Sequence, residues 1–392
     1  MASRQRLSLL RLVNQAFCQS ATPRLFRRVR ATYPGIHLKN KGQHLARMLK
    51  ISKSTHACYV CHVEVGIDST WKTEPGYEEY LQDLSVLLPL CLSHFPNVTT
   101  LSVRGPIYSQ GMVLDQPFPS YLSILLVKSV VNALSFVPFP KLRDLSLSFP
   151  ITLDYVQLFK HQAVSWRVPM EDVLQQLQHL TVKICDKIGN ERYEPPISFL
   201  QTGCQNAIYA PYMFKTIELA KNLTFLAIWA MNDLNIEKLD ISNLNKLRAL
   251  QLSGLSSSSG KLLSLIEPCK ETLTRLELIQ VELERGTWQN VLFRISQLAT
   301  SLVFFQMQSN GYSKDGESAH LCPGVLPRVN DPRPIETCDV LDFHALGNVQ
   351  RLVNSNRQAA GLPEMTKSDY MLLGITPLED IIRIRSARQV TY

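Results

Sequence analysis

The feature that most constrains the fold is a short pattern, apolar-x-x-apolar-x-apolar, that recurs along most of the chain. It reads Val98-x-x-Leu101-x-Val103, Leu142-x-x-Leu145-x-Leu147, Leu177-x-x-Leu180-x-Val182 and Leu223-x-x-Leu226-x-Ile228. It continues as Leu247-x-x-Leu250-x-Leu252, Leu273-x-x-Leu276-x-Leu278 and Leu302-x-x-Phe305-x-Met307. Between fourth positions the steps are 44, 35, 46, 24, 26 and 29 residues. The last two apolar residues of each copy are two apart, so both side chains point to one face of a short strand. Segments with helical spacing, such as Tyr80 to Leu92 and Gly260 to Glu267, lie between the copies. One strand and one helix cannot bury their apolar sides alone, but stacked neighbours build a continuous core.

A single copy of such a pattern arises often by chance. Seven copies, five of them entered through junctions such as Phe95-Pro-Asn, Phe139-Pro-Lys and Leu244-Asn-Lys, do not. The later steps fall in or at the edge of the 20–29-residue period of leucine-rich repeats. The expected fold class is therefore α/β, a leucine-rich-repeat-like solenoid over residues 50–310 with parallel strands inside and helices outside. The repeats are irregular, because the Asn that usually closes each strand is mostly missing. The segment Thr55 to Val65 alternates with period two and reads as the first strand or its cap, with Ala57, Tyr59, Cys61, Val63 and Val65 on one face. Residues 311–338 read as a loop, and 339–392 as a helical cap or tail.

Composition agrees with a folded chain: 45% of the 392 residues are hydrophobic. Nine cysteines in this length make no disulfide framework and favour a reducing compartment, cytoplasm or nucleus. The net charge of +8 is unevenly placed. Residues 1–63 hold 12 Lys and Arg and no acid, which leaves 29 basic and 33 acidic groups elsewhere. Nucleic acid is accordingly not expected as a partner. Arg11 interrupts the first apolar run, so no secretory core forms, although the Arg-rich, acid-free start also resembles a mitochondrial presequence. The apolar stretch Tyr121 to Val137 contains Lys128 and Asn132 and reads as a core helix, so no membrane is expected. The sequons at Asn97 and Asn222 are taken as coincidental.

Within the N-terminal segment, Leu9, Leu12, Val13, Ala16 and Phe17 have helical spacing. Pro23 suits the first turn of a second short helix bearing Leu25, Phe26 and Val29. The runs Leu12-Val-Asn-Gln-Ala-Phe17 and Ala21-Thr-Pro-Arg-Leu-Phe-Arg-Arg28 resemble the second half of an F-box as found in fungal F-box proteins with irregular leucine-rich repeats. Phe139-Pro-Lys-Leu-Arg-Asp-Leu-Ser-Leu147 fits the strand form of those proteins. The resemblance implies a partial F-box in residues 1–40 whose Leu9, Leu12, Val13, Phe17, Pro23, Leu25 and Phe26 would meet a Skp-type adaptor. It further implies recruitment of a protein substrate to a cullin–RING ubiquitin ligase. The opening Leu-Pro turn and first helix of a full F-box are not in the sequence, so a repeat scaffold without ligase recruitment is the alternative, beside a mitochondrial protein with a cleaved presequence.

No coherent catalytic set is present, and no cofactor or metal is expected. Cys58-Tyr-Val-Cys61-His62 has the spacing of a haem attachment site, but strand alternation would put the two thiols on opposite faces. Gly254 to Lys261 looks like a phosphate loop with five residues between its glycines instead of four, and Leu262 where Ser or Thr would bind magnesium. The basic run Arg24, Arg27, Arg28, Arg30 reads as a solvated helix face or a contact for an acidic partner. In a solenoid, the residues between the apolar strand positions form the concave binding face. On this face we single out Arg104, Lys183, Phe225, Trp229, Gln251, Arg275, Glu277, Phe304 and Gln306, with Trp229 and Phe225 as anchors. The face as read shows no single-sign charge.

Overall fold

One backbone device recurs where a strand follows the one before it, at seven junctions among the described residues. The computed structural model describes residues 14–34, 43–68, 76–105, 120–149, 152–159, 168–184, 200–313, 335, 337 and 339–365. Just before or at the start of a strand, two successive N–H groups donate to a single carbonyl of the preceding repeat. Cys61 and His62 donate to the Arg27 carbonyl (2.9 and 3.0 Å), Thr99 and Thr100 to that of Cys61, Arg143 and Asp144 to that of Thr99, and Gln178 and His179 to that of Arg143. The same arrangement recurs where Arg248 and Ala249 donate to Thr224, Thr274 and Arg275 to Arg248, and Val303 and Phe304 to Thr274. A carbonyl oxygen has two lone pairs, so this pairing satisfies both donors without lengthening the junction.

The chain divides into two units, Met1–Lys221 and Asn222–Tyr392. In the first, strands β1 (Arg28–Pro34), β2 (His62–Asp68), β3 (Thr100–Arg104), β4 (Asp144–Phe149) and β5 (His179–Ile184) run parallel in chain order. Val29, Val63, Leu101, Leu145 and Leu180 share one register row and are all buried. Helices α1 (Gln15–Phe26), α2 (Gln43–Ser52), α3 (Tyr77–Ser93), α4 (Ser120–Phe136), α5 (Met170–Gln175) and α6 (Leu200–Leu219) accompany the strands. In α3, Glu78 and Glu79 sit in the first turn, where the helix dipole favours acids. Its Leu81, Leu84, Leu88 and Cys91 recur at three- and four-residue steps and are completely buried. Each such leucine contributes about 1.5–3 kcal/mol by leaving water. The α3 residue Tyr80 joins helix to sheet: its hydroxyl donates to the Ala31 carbonyl (2.5 Å) and accepts from the Gly66 N–H (3.2 Å). The apolar stretch over Tyr121 to Val137 is α4, a core helix. Among the described residues no helix is long and apolar enough to cross a membrane.

The second unit carries parallel strands β6 (Phe225–Asn235), β7 (Ala249–Ser258), β8 (Arg275–Arg285), β9 (Phe304–Gln308) and β10 (Gly311–Tyr312). Its buried row is Leu226, Leu250, Leu276 and Phe305. Beyond that row the backbone turns a corner through left-handed residues, Gly254 (φ 66°), Gln280 (φ 52°) and Ser309 (φ 51°). A second short ladder then pairs Leu234 with Leu255 and Leu255 with Val281. Asn310, fully buried, stitches this corner: its Nδ2 donates to the Leu278 carbonyl (2.8 Å) and its Oδ1 accepts from the Val281 N–H (2.9 Å). It stands three residues after Met307, the place of the strand-closing Asn. Helices α7 (Ser259–Ile266) and α8 (Trp288–Leu298) follow their strands, and α9 (Val340–Ala359) packs on α8 as a cap. The α9 residue Asp342, completely buried, accepts from the Tyr312 hydroxyl (2.8 Å) and the Gln289 N–H (2.7 Å).

Several expectations need correction. Residues 15–26 form one helix with Pro23 inside it, not two helices with Pro23 opening the second. Val29 belongs to strand β1, because Val29, Ala31 and Tyr33 alternate and are buried together. The segment expected as a helical module over 1–40 therefore contributes the first strand of the sheet. Thr55–Tyr59 is a 3-10 turn with Tyr59 exposed, and the strand begins only at His62, so β2 is the second strand and Cys58 is not in a strand. Gly311 and Tyr312 pair with β8 and do not lie in a loop. Leu9, Leu12 and Val13, most of 311–338, and residues 366–392 fall outside the described residues.

Gly254 is required by geometry: a Cβ there would lie 1.8 Å from the Ala230 carbonyl oxygen, at a positive φ. Gly254→Ala is expected to lower stability by at least about 1–2 kcal/mol, the cost of left-handed backbone alone. Gly260→Ala, in open space on α7, is expected to be neutral or to stabilise by up to about 1 kcal/mol. Urea midpoints of the two variants check the contrast.

Candidate interaction surface on the open sheet face

Residues alternate along each strand, so those between the buried positions define a second sheet face where side chains stay largely half-exposed. In the first unit its rows are Arg28, His62, Thr100, Asp144 and His179, then Arg30, Glu64, Ser102, Ser146 and Thr181, with Arg104 beside Gly66.

The centre of this face is a carboxylate ringed by guanidinium groups. Glu64 has a fully buried side chain, and Arg28, Arg30 and Arg104 surround it. Arg28 Nη2 donates to Oε2 at 2.5 Å, Arg30 Nε lies 3.6 Å from Oε1, and Arg104 Nε contacts Oε1 more closely still. The three arginine side chains keep 51, 37 and 35% of their surface. Burial alone would push the Glu64 carboxyl up. The Arg28 hydrogen bond and the fields of Arg104, Arg30 and Arg28 outweigh it and hold the group below its ordinary 4.5. Burial and the neighbouring Arg28 push the His62 imidazole below 6.5, against Glu64 and Asp144, so this ring is neutral at pH 7. Asp144 is taken up locally, by His179 Nδ1 at 2.5 Å and the Thr100 hydroxyl at 2.9 Å.

The same face of the second unit is mixed in character. Phe225, Ala249, Arg275 and Phe304 share one row, and Ala227, Gln251, Glu277 and Gln306 the next. Arg275 pairs with the buried Glu277 and lies 4.2 Å over the Phe304 ring. Trp229 pairs with Ser253 two rows further on, about 13 Å along β6 from Phe225 at the strand rise of 3.3 Å. The structure brings Arg275, Glu277 and Phe304 together, with Phe225 in the same row and Trp229 further along β6. Lys183 sits on the first unit's face, on β5.

Of the residues expected to meet an adaptor, Phe17 is 44% exposed on α1, whereas Phe26 stacks on His56 with ring centroids 4.3 Å apart. Pro23 and Leu25 are half-buried. The Arg28–Arg30–Glu64–Arg104 constellation is the arrangement that sequence reasoning missed. A signal for it was there: Phe26-x-x-Val29-x-Ala31 and Val60-x-x-Val63-x-Val65 both match the repeat pattern. With β1 in the sheet, the first unit's face gains Arg28 and Arg30 and carries both signs, these arginines together with Glu64 and Asp144.

The phosphate-loop lookalike is a strand and a helix start. Ser258 Oγ accepts from the Lys261 N–H as helix cap (3.2 Å), and the Glu237 carboxylate accepts from the Ser258 N–H, placing an acid where a phosphate would bind. Both sequon asparagines bridge repeats, accepting from Lys141 Nζ (Asn97, 2.6 Å) and Lys246 Nζ (Asn222, 3.1 Å). Among the described residues no three His, Cys, Asp or Glu side chains converge as a metal site.

No family model and no curated protein matches the chain. Among solved structures, it is similar to a Bacteroides fragilis protein solved as a structural genomics target, at 12% identity and a TM-score of 0.34, over 73% of this chain and 74% of that one. So distant a likeness carries neither fold nor function.

Glu64 stabilises the fold only while ionised. Its folded pKa is lowered, so the contribution is complete above the ordinary 4.5 and is lost as pH falls through the lowered value. Glu64→Gln is expected to cost roughly 1–3 kcal/mol at pH 7, discounted for the exposure of the arginines. The gap to wild type should close as urea unfolding is repeated at successively lower pH below 4.5.

Proposed function

We propose that the protein is a non-enzymatic interaction module, the substrate-recognition subunit of a cullin–RING ubiquitin ligase of the Skp–cullin–F-box type. The observation that carries the interaction role is the second sheet face: strand after strand presents polar, charged and aromatic side chains there, in register, over a core that the apolar positions alone complete. Such a face suits a protein partner, because its chemistry changes from row to row while its backbone is fixed.

The adaptor-binding part of the reading rests on the sequence resemblance and on α1. That helix buries only Ala21 and Thr22 against the fold and leaves Phe17 outward. A repeat scaffold without ligase recruitment is favoured by a different observation: α1 runs almost directly into β1, so residues 28–34 serve the sheet and not a helical adaptor module.

Co-purification of the full chain with a Skp-type adaptor separates the two. The ligase reading expects a stable complex that Phe17→Asp weakens about thirtyfold, the size of an interface hot spot worth ~2 kcal/mol. Absence of any complex with the wild-type chain would leave the scaffold reading.

A further inference from the structure

We infer that α9 guards the outer edge of β9: its Asn356 and Arg357 imitate the donors of a further repeat, and while they do so a second copy of this chain cannot add a strand there. This role is independent of ligase recruitment.

At the seven junctions, the residue just before a strand offers its carbonyl to two N–H groups of the repeat that follows. Val303, just before β9, holds that place in the last copy of the pattern. Among the described strands β9 pairs with β8 alone, so no described strand supplies donors to Val303. The half-buried Arg357 of α9 supplies one instead: its Nη1 donates to the Val303 carbonyl at 3.1 Å. One residue earlier the imitation is repeated. Leu247 and Leu302 each open a copy of the pattern. The Leu247 carbonyl accepts from the Thr272 hydroxyl of the next repeat (2.8 Å), and the Leu302 carbonyl accepts from Asn356 Nδ2 (3.0 Å). Two adjacent carbonyls that in the earlier repeat take the next repeat therefore take a helix end here. A guanidinium suits the task, since it is a planar fork of N–H donors with no acceptor. Its orientation is held from behind, where Arg357 Nε donates to the Pro363 carbonyl (2.7 Å). At the opposite end of α9, the buried Asp342 accepts from the Gln289 N–H (2.7 Å), so the helix is pinned at both ends.

What α9 keeps out follows from what the edge is shaped to receive. An outer strand presents a row of backbone N–H and C=O groups and is a template for another chain. The strand that fits is parallel and starts with two N–H groups aimed at one carbonyl. This chain makes such starts repeatedly, so another copy of it carries the matching donors. β1 opens the sheet and, among the described strands, pairs with β2 alone. Its other edge is the kind that each later strand turns to its predecessor, which makes β1 of a second copy the strand that would add to β9. Such a head-to-tail contact joins unlike surfaces, so it grows into open chains or a ring. A guard at one end suffices to prevent it.

Light scattering of the full chain over a wide range of protein concentration tests the assignment, together with amide hydrogen exchange read by mass spectrometry. The wild-type chain is expected to keep the monomer mass throughout. Arg357→Met keeps an apolar stem and good helix propensity but has no N–H donor. It is expected at least to double its average mass at high concentration, with the β9 amides exchanging more slowly as it associates. Arg357→Lys retains a donor and is expected to associate less than Arg357→Met. Should Arg357→Met fail to fold, Arg357→Gln, whose shorter side chain stops short of the Val303 carbonyl, is read in the same way. Monomer mass in the donorless variant, equal association of wild type and variant, equal association of the lysine and methionine variants, or association that leaves β9 exchange unchanged would each overturn the assignment.

Discussion

The structure depends on a carbonyl that accepts twice. At each observed junction, one oxygen of the preceding repeat takes the N–H groups of two successive residues, which fixes where the next strand begins relative to the last. Once that offset is fixed, parallel ladders bring the apolar positions into rows without further choice, and a slip of one residue would turn every side chain to the wrong face. The repeats can then differ in length as they do, because the irregular material between strands does not touch the register. The close approach this demands is met at Gly66 and Gly254, where a Cβ would lie 2.0 and 1.8 Å from a carbonyl oxygen of a neighbouring strand.

A sheet built this way separates stability from recognition. Leu101, Leu145 and Leu180, or Leu226, Leu250 and Leu276, complete the core and leave the alternate positions chemically unconstrained. The two units use that freedom differently. The second spreads a mixed surface in which Arg275 is satisfied by Glu277 and by the Phe304 ring. The first concentrates charge, with one buried carboxylate serving three arginines. A lone buried carboxylate would be costly. This one is tolerated because its partners are near and still reach water themselves.

Much of this was legible in the chain. All seven copies of the pattern became strands, the core helix over Tyr121 to Val137 formed as expected, and Val340 to Ala359 became a helix. What failed was the reading of Arg24 to Tyr33. A short segment with apolar residues at both two- and three-residue spacings fits helix and strand alike, and its arginines resemble a solvated helix face. Only the presence of His62–Asp68 alongside, with its own alternating valines, makes the strand the lower-energy choice. The same competition moved the start of β2 from Thr55 to His62, where Ser54 caps a turn instead.

The sequence by itself determined that strands and helices alternate, which residues form the core rows, and that basic residues crowd the first 63 positions. Those follow from local spacing and composition, which every residue carries with it. Only the tertiary structure decided that Arg28, Arg30 and Arg104 meet around Glu64, because their meeting depends on which strands pair and in what register. That choice is made by ladders between segments 34 and 38 residues apart, and the local repeat pattern marks the strands but not their pairing.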